Sequence, residues 1–173
     1  RFAENAPNTD ERWTFGLVGG TVGLTLSALA LAKGRMSEGG ATLSHSGAGL
    51  LIVEATAVER EGRITHGCVG LYNDENEAAL KKVIDACRRR GTAKLGIQLG
   101  HAGRKASAKR PWEGANMNEP EEKQPWQTKA PSAIPFAEGW HVPQSFTPAE
   151  IEALPGKFAA ATRRAAAADP RRP

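Results

Sequence analysis

The sequence predicts an α/β protein built on a parallel sheet. Three observations predict it. A continuous apolar run, Leu50-Leu51-Ile52-Val53, ends in Glu54, Ala55 and Thr56. Downstream, Leu80, Val83, Ile84 and Cys87 fall at i, i+3, i+4 and i+7, the spacing of one helix face. A second strand-like stretch, residues 94–99, comes directly after. Continuous apolar runs suit strands covered on both faces. Strand, helix and strand with short joins make a βαβ unit, with a right-handed crossover and parallel strands.

The bulk properties fit one such domain. A chain of 173 residues can bury a core. Hydrophobic residues at 40% and charged residues at 24% argue against disorder throughout. The net charge of +4 is spread along the chain. Arg88-Arg89-Arg90 closes the predicted helix, where cations favour the dipole. It is read as a solvated helix end, not a nucleic-acid patch, because no aromatic residues interleave with it. Cys68 and Cys87 lie outside any CxxC pair. They read as reduced thiols of a cytoplasmic protein. His66 and Cys68 make half of a metal pattern with no second half at ligand spacing, so no metal is expected.

Taken in order, residues 1–12 are polar and loop-like. Residues 13–32 carry no charge, and twenty such residues match a bilayer span. Arg12 and Lys33 flank them, but threonine, serine and glycine dilute their hydrophobicity. A buried or disordered segment is favoured over a membrane helix. Residues 33–46 read as a helix end and loop, 47–58 as the first strand and 59–73 as a loop. Asp74, with Glu77 three residues on, makes a capping-box-like start for the helix. Gly91 is its natural stop. Residues 105–147 hold most of the proline and tryptophan and show no period. They are too long for an ordinary connection and read as an ordered cap. Thr147-Pro148-Ala149-Glu150 is a capping box with proline at the first helical position. That helix is expected to break or kink at Pro155-Gly156, resume over 158–168, and stop at the tail 169–173.

The stretch Leu95–Ser107 carries the functional signal. Gln98, His101, Arg104 and Lys105 arrive within eight residues, where the second strand ends. In α/β proteins ligands bind at the carboxyl ends of parallel strands. A solvated loop is the competing reading.

The motifs IVEATAV (52–58), EGRIT (61–65), IQLGHAGRKAS (97–107), RPWEG (110–114) and APSAIPF (130–136) run in this order. In them the chain resembles the Old Yellow Enzyme family, in particular its bacterial xenobiotic-reductase-like branch. The resemblance covers residues 47–166. It implies a TIM (β/α)8 barrel carrying FMN. It further implies hydride transfer from NADH or NADPH, through the flavin, to an alkene activated by a carbonyl or nitro group. The two predicted strands would be strands 2 and 3 of that barrel. Residues 105–147 would be the insertion after strand 3. The match divides the chain into an atypical segment 1–46, a partial FMN-binding domain 47–168 and the tail 169–173.

The resemblance also implies site residues. Gln98 matches the strand-3 glutamine that hydrogen-bonds the flavin pyrimidine ring. Its amide offers both donor and acceptor, and it stabilises charge that develops on reduction. Ala55 matches the small residue against the flavin at the end of strand 2. His101 and Arg104 match the HAGR motif, either as site-lining groups or as groups that orient the loop. Trp112 is expected to fasten the cap onto the barrel, and Tyr72 to pack rather than to act as an acid. No catalytic residue is assigned. The proline-rich flavin-contacting segment of strand 1 is not recognisable, and strands 4–8 have no counterpart. A barrel usually needs roughly 250 residues. The chain is therefore expected to be a fragment from a truncated or frame-shifted reading frame, inactive alone. Its partners would be a small activated alkene and either a second copy or a complementing C-terminal half. The alternatives are a non-catalytic remnant and a membrane-tethered interaction protein.

Overall fold

The computed structural model describes residues 14–18, 21–26, 35–110 and 125–169. Trp112 and residues 170–173 lie outside them, as do parts of the uncharged run. In chain order the elements are β1 (Thr14–Val18), β2 (Thr21–Leu26), α1 (Arg35–His45), β3 (Leu50–Ala57), α2 (Asp74–Arg90), β4 (Lys94–Gly100), β5 (Lys129–Ala130), β6 (Gln144–Ser145) and α3 (Pro148–Ala168). Short 3-10 turns cover Arg60–Gly62 and Gly103–Lys105. The main sheet has the order β1-β2-β3-β4.

The βαβ unit forms as its pattern predicts. β3 and β4 are parallel, with Leu50 opposite Lys94 and Val53 opposite Ile97, and α2 makes the crossover. Leu80, Val83, Ile84 and Cys87 are all buried. They join Leu51, Val53, Val58, Val69 and Leu71 in one core. Burial pushes the Cys87 thiol up, as for an inert core cysteine.

Several local readings change. The uncharged run holds strands: β1 and β2 form an antiparallel pair, and β2 runs parallel to β3. β2 thus takes the place where no strand had been recognised. Its alternation of Thr, Val and Gly lacks the apolar run that marks β3. No described helix is long and apolar enough to cross a membrane. The α2 cap is Asn73 rather than Asp74: its side chain accepts the Asn76 N–H at 2.9 Å. Asp74 instead binds Arg164 of α3 at 2.6 Å. Gly91 ends α2 as expected, its N–H donating to the Cys87 carbonyl, at an extended φ of −152°, so left-handed geometry is not why glycine stands there. α3 runs unbroken through Pro155. Pro155 is exposed, so the Ile151 carbonyl that loses its donor can turn to water.

Of the arginine cluster, Arg88 is largely covered. It donates to the Ala93 carbonyl at 3.3 Å and binds Asp169 at 2.6 Å. It clamps the end of α3 rather than facing solvent.

The α3 capping box is complete, with Thr147 and Glu150 bonded reciprocally. Glu150 also binds Lys129. That ammonium, then the Thr147 N–H, holds the Glu150 carboxyl down at about 2, from 4.5. A carboxyl depressed on folding adds stability above its unfolded pKa, which is lost as pH falls through the folded one. Glu150→Gln keeps the box, since glutamine also serves at that position. The expected result is a flatter acid limb between about pH 4.5 and 2 in thermal melts. Parallel limbs would refute the coupling.

Candidate functional site at the carboxyl ends of β3 and β4

The site begins with an irregularity in the β3–β4 ladder. Val53 pairs with Ile97, but the next pair is Thr56 with Leu99. Two residues of β3, Glu54 and Ala55, therefore face the single residue Gln98. This is a β-bulge, which bends a strand and re-aims its side chains. Thr56 is fully buried, and its hydroxyl donates to the Glu54 carbonyl at 2.9 Å. Beyond the bulge, Ala57 N–H donates to Val69 and Leu71 N–H to Ala57, both at 2.9 Å. The returning loop thus fastens the strand end.

A cavity of about 150 Å³ opens there, lined among others by Ala55, Thr56, Arg63, Gln98 and His101. It is smaller than the roughly 300–1,000 Å³ of whole small-molecule sites. A second cavity of about 320 Å³ lies on the helix side between β3, β4, α2 and α3. Core side chains such as Leu51, Val83 and Ile97 line it, and it brings together no catalytic constellation.

Of the predicted site residues, the structure brings Ala55, Gln98 and His101 to one cavity. Gln98 is exposed, and its amide makes no hydrogen bond among the described residues. Arg104 is half-buried in the 3-10 turn and does not line the cavity. The Tyr72 ring packs over Gly70, where a Cβ would meet it at 2.2 Å. No group of three or more His, Cys, Asp or Glu that could hold a metal is present among the described residues.

His101 is held from three sides. Gly103 N–H donates to its Nδ1 at 3.0 Å, and its Nε2 lies 2.7 Å from Glu59 Oε1. A backbone N–H can only donate, so Nδ1 carries the lone pair and Nε2–H donates to the carboxylate. The other Glu59 oxygen binds Lys157 of α3. The Phe146 ring meets the imidazole edge-on at 5.7 Å. Gly62 lies so close that a Cβ there would sit 2.6 Å from His101 Cδ2. These contacts tie His101 to the surrounding loops, while the residue also lines the cavity. Glu59 and Lys157 were not found from sequence. They are 98 residues apart, and neither stands in a spacing that marks a pair.

The described part of the cap closes on the same loop. Trp126 Nε1–H donates to the Glu61 carbonyl at 3.0 Å, and the Arg63 guanidinium lies 5.1 Å from the Trp126 ring centre.

The NADH:flavin oxidoreductase / NADH oxidase family model matches residues 30–169, starting before the motifs that begin near Gly47. An NADH:flavin oxidoreductase of Gibberella zeae is 44% identical over 122 residues, 69% of this chain and 29% of that protein. An NADPH dehydrogenase of Listeria monocytogenes is 42% identical over 119 residues, 69% of this chain and 30% of that protein. The chain thus spans about 30% of the length of these relatives. Morphinone reductase in complex with tetrahydroNAD superposes with a TM-score of 0.58 at 26% identity, covering 77% of this chain and 37% of that one. The Old Yellow Enzyme from Pichia sp. superposes at 0.59 over 76% of this chain and 33% of that one, at 24% identity, and supports the fold alone. Parallel β3 and β4 are thus a part of the Old Yellow Enzyme α/β barrel, which does not close among the described residues. The chain belongs to the NADH:flavin oxidoreductase / NADH oxidase family.

Proposed function

We propose that this chain supplies the strand 2 and strand 3 part of the FMN site in an NAD(P)H-dependent ene-reductase. The observation that carries this reading is the convergence of Ala55 and Gln98 at one bulge, on the ligand-binding ends of parallel strands. Both residues fit the group. The free Gln98 amide offers a donor and an acceptor to a ring edge with alternating carbonyl and N–H groups. Ala55 has no side chain beyond Cβ to keep a flat ring from the backbone. Bound FMN would supply two-electron chemistry between NADPH or NADH and an alkene activated by a carbonyl or nitro group. This chain's residues would orient the ring and stabilise charge on it. Reduced Cys68 and Cys87 suit the cytoplasm.

The part-sized cavity favours a further reading: the remaining walls come from a complementing C-terminal half, and residues 1–173 alone are idle in turnover. The outer edge of β4 has no partner among the described residues, so a further parallel strand can continue the sheet there.

The test is a titration of residues 1–173 with FMN, followed by visible absorbance and flavin fluorescence. The expected result is a saturable spectral shift, weakened about three- to tenfold in Gln98→Ala, the net worth of a hydrogen bond. No steady-state NADPH oxidation is expected. An unshifted spectrum at saturating FMN would overturn the flavin assignment. Turnover by the chain alone would overturn the part-site reading.

A further inference from the structure

The Lys157–Glu59–His101 chain joins helix α3 to the cavity wall. Glu59 and His101 side chains are only 15% and 9% exposed, whereas Lys157 is 38% exposed. A covered carboxylate needs a cation beside it. Lys157 answers that need from outside the cavity. Without it, the nearest group able to become a cation is His101. A protonated Nδ1 cannot accept the Gly103 N–H, so the turn would lose its bond to the ring. Gly103 sits there at φ +59°, a conformation held by its surroundings.

We propose that Lys157 is a positioning residue: by balancing Glu59 it keeps His101 a neutral Nε2–H imidazole, and thereby holds the Gly62–His101–Ala102 wall of the cavity in place. The wall itself is bonded backbone to backbone, Ala102 N–H donating to the Gly62 carbonyl at 2.8 Å. Other charges near this cluster are accounted for. Lys129 of β5 is committed to Glu150 of α3. Its pKa is raised first by that bond, then through space by Glu59 and Glu61. Arg63 is spent on the carbonyls of Arg60 and His66 at 2.9 and 3.1 Å. Neither stands in for Lys157 on the Glu59 oxygen.

The inference rests on the flavin reading only for the ligand. Its test uses residues 1–173, Lys157→Met and Lys157→Arg. The first readout is the imidazole 15N spectrum of the four histidines, with His101→Gln assigning the signal. In wild type at pH 7 the expected pattern is one bare Nδ1 and one protonated Nε2. Lys157→Met raises the ratio of imidazolium to imidazole by about tenfold, the usual effect of changing a charge partner at close range. The second readout is FMN affinity. Only the fraction with a neutral imidazole keeps the wall, so from a mostly neutral wild type the apparent Kd rises about twofold at pH 7. It returns to the wild-type value near about pH 9, where imidazole is neutral regardless. Lys157→Arg restores both readouts. General structural damage would weaken binding equally at both pH values, and that result would overturn the proposal. So would an unchanged His101 spectrum in Lys157→Met. If wild type binds no FMN, the flavin reading falls, and the imidazole spectrum alone decides the role of Lys157.

Discussion

Leu71→Ala lowers the unfolding free energy by about 2–5 kcal/mol in a urea titration. Leu71 is fully buried, and it belongs to the core shared by β3 and α2. Its backbone N–H donates to Ala57 at 2.9 Å, so the side chain is anchored and cannot follow a collapse into the hole. The larger cavity nearby is lined by Leu51, Val83 and Ile97 but not by Leu71, so truncation adds empty space rather than reshaping what exists. Domains of this size are stable by roughly 5–15 kcal/mol, which makes this a large fraction of the total. Because Leu71 ends the loop that fastens the bulged end of β3, FMN affinity is expected to fall with it. A loss below about 1 kcal/mol would mean that the loop is not part of the cooperative core.

Gly91→Ala is the second large effect, and its sign is set by a neighbour. At an extended φ, replacing glycine by alanine normally stabilises by about 0.4–1 kcal/mol, because the unfolded chain loses freedom. Here a Cβ would lie 2.1 Å from the backbone carbonyl of Ser44, at the end of α1. A carbonyl cannot rotate away like a side-chain tip. α1 and α2 must separate, and the His45 Nδ1 contact to the Arg90 carbonyl at 2.9 Å is lost with them. The expected cost is about 1–3 kcal/mol. Urea midpoints of Gly91→Ala and wild type would show it. An increase in stability would mean that the two helix ends lie further apart than described.

These expectations separate what sequence determines from what tertiary structure decides. β3, α2 and β4 were legible because short-range pattern suffices for them. The run 50–53 and the 80, 83, 84, 87 spacing specify an apolar strand and a one-sided helix without reference to any partner. The candidates Ala55 and Gln98 were legible through motif alone, and the fold brings both to the cavity at the strand ends. β2 was not legible, because its mixed Thr, Gly and Val pattern becomes a strand by pairing with β1 and β3. The cap at Asn73 rather than Asp74 turned on a shift of one residue, which local propensity does not resolve. The role of Gly91 was set by Ser44, and the state of His101 by Glu59 and Lys157. The bulge that places Gln98 opposite Glu54 and Ala55 is a difference in register between two strands. A linear sequence records side-chain type and spacing, and so determines which faces are apolar. Close approaches, ion partners and register depend on residues dozens of positions apart, and only the folded chain brings those together.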